Sequence, residues 1–226
     1  MVNFFDKSKN QAQKKMIAEL GAAIVENGMT IGLGSGSTMA YFVEAVAKRI
    51  NEEKLTVQFV PASKTIEQKA LDYGLKLISI ECVQEIDYAF DGADWIINKE
   101  TLIKGGGGSL FREKKILLNS VQRFILADES KFIDRLSDSI IPIEIVPFGY
   151  TKTIHSIREV GGECYLRKRM DEEKYLTDNY NYIVDARFSG IGNWGFIHEQ
   201  LKRIQGVVDT GIFCNMEFQI ITLEKE

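Results

Sequence analysis

Histidine and cysteine are scarce in this chain: two histidines, His155 and His198, and three cysteines, Cys82, Cys164 and Cys214, in 226 residues. Two distant histidines do not supply a His-rich zinc site. Three widely spaced cysteines without C-x-x-C spacing build no disulfide framework. They read as reduced thiols of a reducing, cytoplasmic compartment, and no neighbouring His signature supports a thiol nucleophile. No apolar run approaches the ~18 residues of a membrane span, and residues 1–15 are polar and basic without a signal-like apolar stretch. Excess charge is small as well. The 28 Lys+Arg against 32 Asp+Glu leave a net charge of −4, which gives no footprint for nucleic acid, although a local basic patch still suits a small anion. Neither nucleic acid nor membrane is an expected partner.

What is present is a soluble globular composition, 45% hydrophobic and 27% charged, without repeats. At ~150 residues per domain the length allows one large domain, or one plus a small second. Helical spacing at Met16, Leu20, Ala23 and Ile24, and again at Val43, Val46, Ala47 and Ile50, alternates with short apolar runs. Strands are expected at Thr30–Leu33, Val57–Val60, Leu75–Ile80, Tyr88–Phe90 and Phe124–Ala127, with helices near 63–73 and 109–120. This alternation predicts an α/β fold with a doubly wound, Rossmann-like, mostly parallel sheet. After Pro142 the order becomes β-α-β-β-α, indicating a smaller α+β domain. The expected division is 1–135 plus 205–226 for the catalytic domain and 136–204 for the small one. The strands expected at Val207–Phe213 and Phe218–Thr222 would return to the first domain.

In parallel sheets, ligands bind beyond the carboxyl ends of the strands, and three unusual segments fall there. Gly32-Leu33-Gly34-Ser35-Gly36-Ser37-Thr38 links a strand to a helix start, where amides and partial positive charge favour an anion. It lacks the Walker lysine and the full dinucleotide spacing, so a monophosphate fits better than ATP or NAD. A tight turn in which Ser37 or Thr38 merely caps the helix fits this segment equally well. Asp91-Gly92-Ala93-Asp94 places two carboxylates around a turn, suited to acid/base work or sugar hydroxyls, although solvated acids in an Asp-Gly turn are commoner. Lys131 follows Asp128-Glu129-Ser130; alone it reads as a solvated lysine, as do Lys14 and Lys15. Away from these strand ends, Lys104 precedes four glycines, Gly105 to Gly108, and Arg112 and Glu113 follow at a helix start. Such a run is costly in backbone entropy and is useful where backbone must approach a ligand, although a flexible surface linker followed by a Glu that complements the helix dipole is the alternative. The aromatics Phe4, Phe5, Trp95, Trp194 and Phe196 read as core or subunit contacts.

Taken together, and in order, these segments resemble the type A ribose-5-phosphate isomerases. The resemblance continues through Arg112-Glu113-Lys114, Ala127 to Lys131, Pro142 to Phe148, Thr177-Asp178-Asn179 and Gly206 to Gly211. It implies isomerisation of ribose 5-phosphate and ribulose 5-phosphate in the non-oxidative pentose phosphate pathway, with neither metal nor cofactor. It makes Glu113 the base that moves a proton between C2 and C1, assigns Asp91 to ring opening, has Asp94 bind or help polarise the sugar end, and makes Lys104 the oxyanion partner, all four as catalytic residues. Ser35, Gly36, Ser37, Thr38, Gly92, Ala93, Gly105, Gly106, Gly107 and Lys131 would hold the phosphosugar. Lys14 or Lys15 matches a family lysine only loosely. The family is usually dimeric or tetrameric, so a homodimer or homotetramer is implied.

The chain departs from the family pattern at three positions. Trp95 stands where an acidic residue is usual, Phe111 replaces a hydroxyl residue, and Ser35 replaces Thr while keeping the hydroxyl. The rival readings are a sugar-phosphate sensor without turnover, an isomerase of another phosphosugar, and a coenzyme A transferase using Glu as nucleophile.

Overall fold

The computed structural model describes residues 10–134, 140–190 and 192–223, so Phe4 and Phe5 lie outside the described residues. The strands are β1 Thr30–Leu33, β2 Gln58–Pro61, β3 Ile86–Gly92, β4 Trp95–Ile97, β5 Thr101–Ile103, β6 Ser120–Leu126, β7 Phe132–Ile133, β8 Ile140–Ile145, β9 Glu163–Leu166, β10 Tyr182–Arg187, β11 Val207–Thr210, β12 Ile212–Phe213 and β13 Gln219–Ile221. The α-helices are α1 Gln11–Ala23, α2 Ser37–Glu53, α3 Lys64–Asp72, α4 Leu110–Leu118, α5 Tyr150–Glu159 and α6 Trp194–Lys202.

Two compact units result. The first takes the described parts of 5–93, 112–131 and 217–226; the second takes those of 94–111 and 132–216. In the first unit a five-stranded sheet runs β13-β6-β3-β1-β2 with every neighbouring pair parallel. Period-two alternation sends Ile31 and Leu33 into one core with α1, α2 and α3. Gly32, between them, faces α4, where an added Cβ would lie 2.4 Å from Ile116 Cγ2. Helices therefore cover both faces, as the alternating pattern predicted. Phe42, Phe90 and Phe124 stack through this core with centroid separations of 4.5 and 5.0 Å.

The buried stripe of α1 is not the one that apolar spacing suggested. Lys14, Ile17, Ala18, Gly21 and Ala22 face inward, while Met16 and Leu20 are 53% and 47% exposed. The reason is close packing: a Cβ on Gly21 would stand 2.9 Å from Leu126 of β6, so the smallest residue selects the inward face.

The second unit has two four-stranded sheets, β11-β8-β10-β9 and β12-β5-β4-β7, sharing a core that includes Ile103, Ile141, Ile143, Val184 and Leu201. The β4–β5 hairpin went unpredicted because three-residue strands show little periodicity. The expected return of Val207–Phe213 to the first domain is corrected: β11 pairs with β8 and β12 with β5. Phe218–Thr222 does contain the returning strand, β13, paired with β6. The strand expected at Leu75–Ile80 is a single bridge, Phe59 to Leu77, followed by a 3-10 turn at Ile80–Cys82. Among the described residues, no helix is long and apolar enough to cross a membrane. No disulfide joins Cys82, Cys164 and Cys214 to one another.

Candidate active site

Sheet order brings the carboxyl ends of β6, β3 and β1 side by side in the first unit. After β1 the Gly34 amide donates to the Phe90 carbonyl at 2.8 Å, which draws the glycine-rich loop against β3. A Cβ at Gly34 would fall 2.1 Å from the Asp91 carboxyl carbon, so only glycine leaves room for that acid. Gly36, with φ 93°, is the N-cap of α2 and carries no side-chain cap. Ser37 and Thr38 are the first two residues of the helix, so neither is its cap. The helix start thus presents amides and hydroxyls together, the arrangement that suits an anion.

Asp91 is fully buried, and its Oδ1 accepts from the Gly92 amide at 2.8 Å and from the Ser35 amide at 3.3 Å. The Ser35 hydroxyl donates a short hydrogen bond to Oε1 of Glu113, which is itself buried in the first turn of α4. Ser35, Asp91 and Glu113 therefore form one connected cluster within this unit. Gly92 lies beside Thr38, whose Cβ would be 4.0 Å from an added Cβ, while Ala93 is half-buried where the chain leaves β3.

At the end of β6, Asp128 Oδ1 accepts from Asn10 Nδ2 at 2.9 Å and from the Ser130 amide at 3.1 Å, and also from the Ser130 hydroxyl. Burial pushes the Asp128 carboxyl up, but these bonds and the Lys131 charge outweigh it and hold it below its ordinary value. Lys131 is half-buried, and its amide donates to the Asp128 carbonyl at 3.0 Å. Asn10 stands one turn before Lys14, whose amide donates to the Asn10 carbonyl at 2.9 Å. Lys14 is buried and Lys15 exposed, which separates two lysines that the sequence could not rank.

In the second unit the Asp94 amide donates to the Ile103 carbonyl at 2.9 Å, and Asp94 Oδ2 accepts from the Gly106 amide at 2.8 Å. Lys104 is buried; its amide donates to the Gly211 carbonyl at 2.9 Å, and its Nζ lies 5.7 Å from the Phe213 ring centroid. Gly105 and Gly108 have φ of 101° and 84°, so these two of the four glycines need their conformational freedom. Gly106 is half-buried and Gly107 exposed. Trp95 is half-buried against the second core, Trp194 packs on it as well, and Phe196 is exposed.

Sequence reasoning missed the burial of Lys14, which only the true inward stripe of α1 reveals. It also missed Arg167 and Tyr175, which bind the carbonyls of the glycine run from 62 and 68 residues away and carry no local signal. Among the described residues, no group of three His, Cys, Asp or Glu side chains is arranged to hold a metal ion.

Residues 58–226 match the family model described as ribose 5-phosphate isomerase A (phosphoriboisomerase A). Ribose-5-phosphate isomerase A of Bacillus mycoides is 42% identical over 209 residues, covering 92% of this chain and 94% of that protein. The ribose 5-phosphate isomerase A structure from Methanocaldococcus jannaschii superposes with a TM-score of 0.89 at 35% identity, covering 95% of this chain and 96% of its own. A D-ribose-5-phosphate isomerase in complex with phospho-erythronic acid superposes with a TM-score of 0.85 at 32% identity, covering 89% and 90% of the two chains. With a family model that matches residues 58–226, a matching fold and relatives that span nearly its whole length, this chain belongs to the ribose 5-phosphate isomerase A family.

Proposed function

We propose that this protein interconverts D-ribose 5-phosphate and D-ribulose 5-phosphate, with Glu113 as the base. The observation that carries the reading is the buried Glu113 carboxylate at the start of α4, fixed by the Ser35 hydroxyl of the glycine-rich loop. A base that removes a carbon-bound proton needs a set position and restricted water, and this carboxylate has both. The relative solved with phospho-erythronic acid, a phosphorylated sugar acid, supports a phosphosugar as the ligand.

In the direction of ketose formation, Glu113 takes the proton from C2 of the open-chain aldose. The C–H electron pair becomes the C1–C2 double bond, and the carbonyl electrons move onto O1. Lys104 stabilises that developing negative charge, which is where an electrostatic group contributes most. Glu113 then returns the proton to C1 while the hydroxyl proton of O2 passes to O1, leaving a ketone at C2. C2 is oxidised and C1 reduced within the same molecule, so the net oxidation state is unchanged and no external oxidant or reductant is called for. Asp91 serves ring opening and Asp94 binds the sugar hydroxyls. Ser35 to Thr38, Gly92, Ala93, Gly105 to Gly107 and Lys131 hold the substrate, and the α2 start takes the phosphate. Phosphate binding far from the reacting carbons supplies energy for positioning them.

The protein works as a homodimer or homotetramer in the cytoplasm. Exposed apolar side chains of the second unit, Phe148, Tyr165 and Met170 among them, support the self-association. Light scattering at micromolar concentration checks this; a monomer would refute it. The activity is tested by following conversion of ribose 5-phosphate with chelator present, alongside Glu113→Gln. Turnover that survives chelation and falls at least a hundredfold in the variant is expected. Saturable phosphosugar binding without turnover in the parent protein would overturn the isomerase reading in favour of a sensor.

A further inference from the structure

Four successive glycines form a floppy connection unless something holds their peptide groups. Within the second unit, three of their carbonyls accept side-chain hydrogen bonds. Arg167 Nη1 donates to the Gly105 carbonyl at 2.9 Å and to the Gly106 carbonyl at 3.4 Å. The Tyr175 hydroxyl donates to the Gly107 carbonyl at 2.9 Å. Asp185 grips the same guanidinium with both oxygens, accepting from Nε at 2.8 Å and from Nη2 at 2.5 Å. The Arg167 guanidinium carbon also lies 5.8 Å from the Tyr175 ring centroid, so the two clamp residues brace each other. Asp94 Oδ2 in turn accepts from the Gly106 amide.

We propose that Arg167 and Tyr175 are positioning residues for the isomerisation. They fix the peptide planes of Gly105 to Gly107, and with them the direction in which Lys104 leaves β5 and the alignment of Asp94. Glycine tolerates either sign of φ, so an unheld peptide in this run flips readily. A flip between Gly105 and Gly106 would withdraw the amide that Asp94 accepts and swing the backbone next to Lys104. The planar Arg167 guanidinium suits this task because bidentate pairing with Asp185 sets its plane while Nη1 reaches the carbonyls. A lysine keeps the charge but not this fork. Because Lys104 acts on charge that develops only in the transition state, whereas the substrate is also held by Ser35 to Thr38, Gly92, Ala93 and Lys131, loss of the clamp falls on kcat more than on KM. The inference rests on the isomerase reading.

The test is steady-state kinetics on ribose 5-phosphate for the parent, Arg167→Lys and Tyr175→Phe, with melting curves for each. Expected are a fall in kcat of at least tenfold for Arg167→Lys and about threefold for Tyr175→Phe, with KM within threefold of the parent and assays run well below each Tm; displacements of about 1 Å can cost on the order of 100-fold. A purely structural clamp would lower Tm and leave kcat of the folded enzyme within twofold, which overturns the proposal. A rise in KM alone overturns it too, since the loop would then only bind. If Arg167→Lys does not fold, Tyr175→Phe decides by the same criterion. Absence of turnover in the parent sinks the isomerase reading itself, whereas an active parent with equally active variants sinks only the clamp.

Discussion

The hydroxyl of Ser35 and the carboxylate of Glu113, 78 residues apart in the chain, are joined by a hydrogen bond that couples the glycine-rich loop after β1 to the start of α4. The bond ties the base to the loop proposed to hold the substrate, so the two are set by a single contact. A hydrogen bond to a charged group contributes about 1.5–3 kcal/mol.

Removing that contact tests its contribution. Ser35→Ala is expected to lower kcat about tenfold or more, whereas Ser35→Thr, which keeps the hydroxyl, stays near the parent. Equal activity of the alanine and threonine variants would show that the bond does not position Glu113.

The two neighbouring lysines of α1 are expected to behave differently. Lys14 is buried on the inward face, one turn from the Asn10–Asp128 bond, while Lys15 is exposed. Lys14→Met should reduce kcat/KM at least tenfold and Lys15→Met should remain within twofold, measured with ribose 5-phosphate. A reversed order would remove Lys14 from the site.

Asp128 makes a specific contribution to acid stability. Its folded-state carboxyl lies below the ordinary 3.8, because its hydrogen bonds and Lys131 outweigh burial. The ionised form is therefore favoured by folding, and the stability it adds is complete above the unfolded value and lost as pH falls through the folded one. Asp128→Asn should be less stable than the parent at pH 7 and pH 5, with the gap closing below about pH 4. Urea unfolding at each pH measures it; a gap constant down to pH 3 would refute the assignment.

The thiols should differ in reactivity. Burial pushes the Cys164 thiol up to about 11, opposed only by the nearby Arg158 charge, so it stays protonated at neutral pH. Cys82 is exposed. A chromogenic disulfide reagent should label Cys82 in the native protein and reach Cys164 only after denaturant is added. Prompt native labelling of Cys164 would contradict its burial.

Much of the central sheet was legible because the runs of β1 and β2 are each followed by an amphipathic helix, and the glycine turn after Leu33 breaks the pattern at its proper place. The Ser35–Asp91–Glu113 cluster was legible only as three separate segments: each residue type is ambiguous alone, and the bonds joining them link residues 56 and 78 positions apart. The face of α1 was misread because Met16 and Leu20 are more apolar than Gly21, yet it is Gly21 that permits contact with Leu126. The pairing of β11 with β8 and of β12 with β5 was not legible either, since antiparallel partners distant in sequence leave no local trace. Arg167 and Tyr175 share that fate. Nothing about an arginine in a short strand-flanking segment marks it as a ligand of a glycine carbonyl.

At Gly34 a hydrogen atom stands where any other residue would put carbon, and the Asp91 carboxyl occupies the vacated volume. The two positions are thereby one inherited unit: a side chain at 34 would displace the acid without altering it. In a saturation screen for growth that depends on this enzyme, position 34 should be as intolerant as position 91, and no second-site change at 91 that keeps a carboxylate should rescue it. Directed evolution that leaves 34 untouched retains the acid's seat.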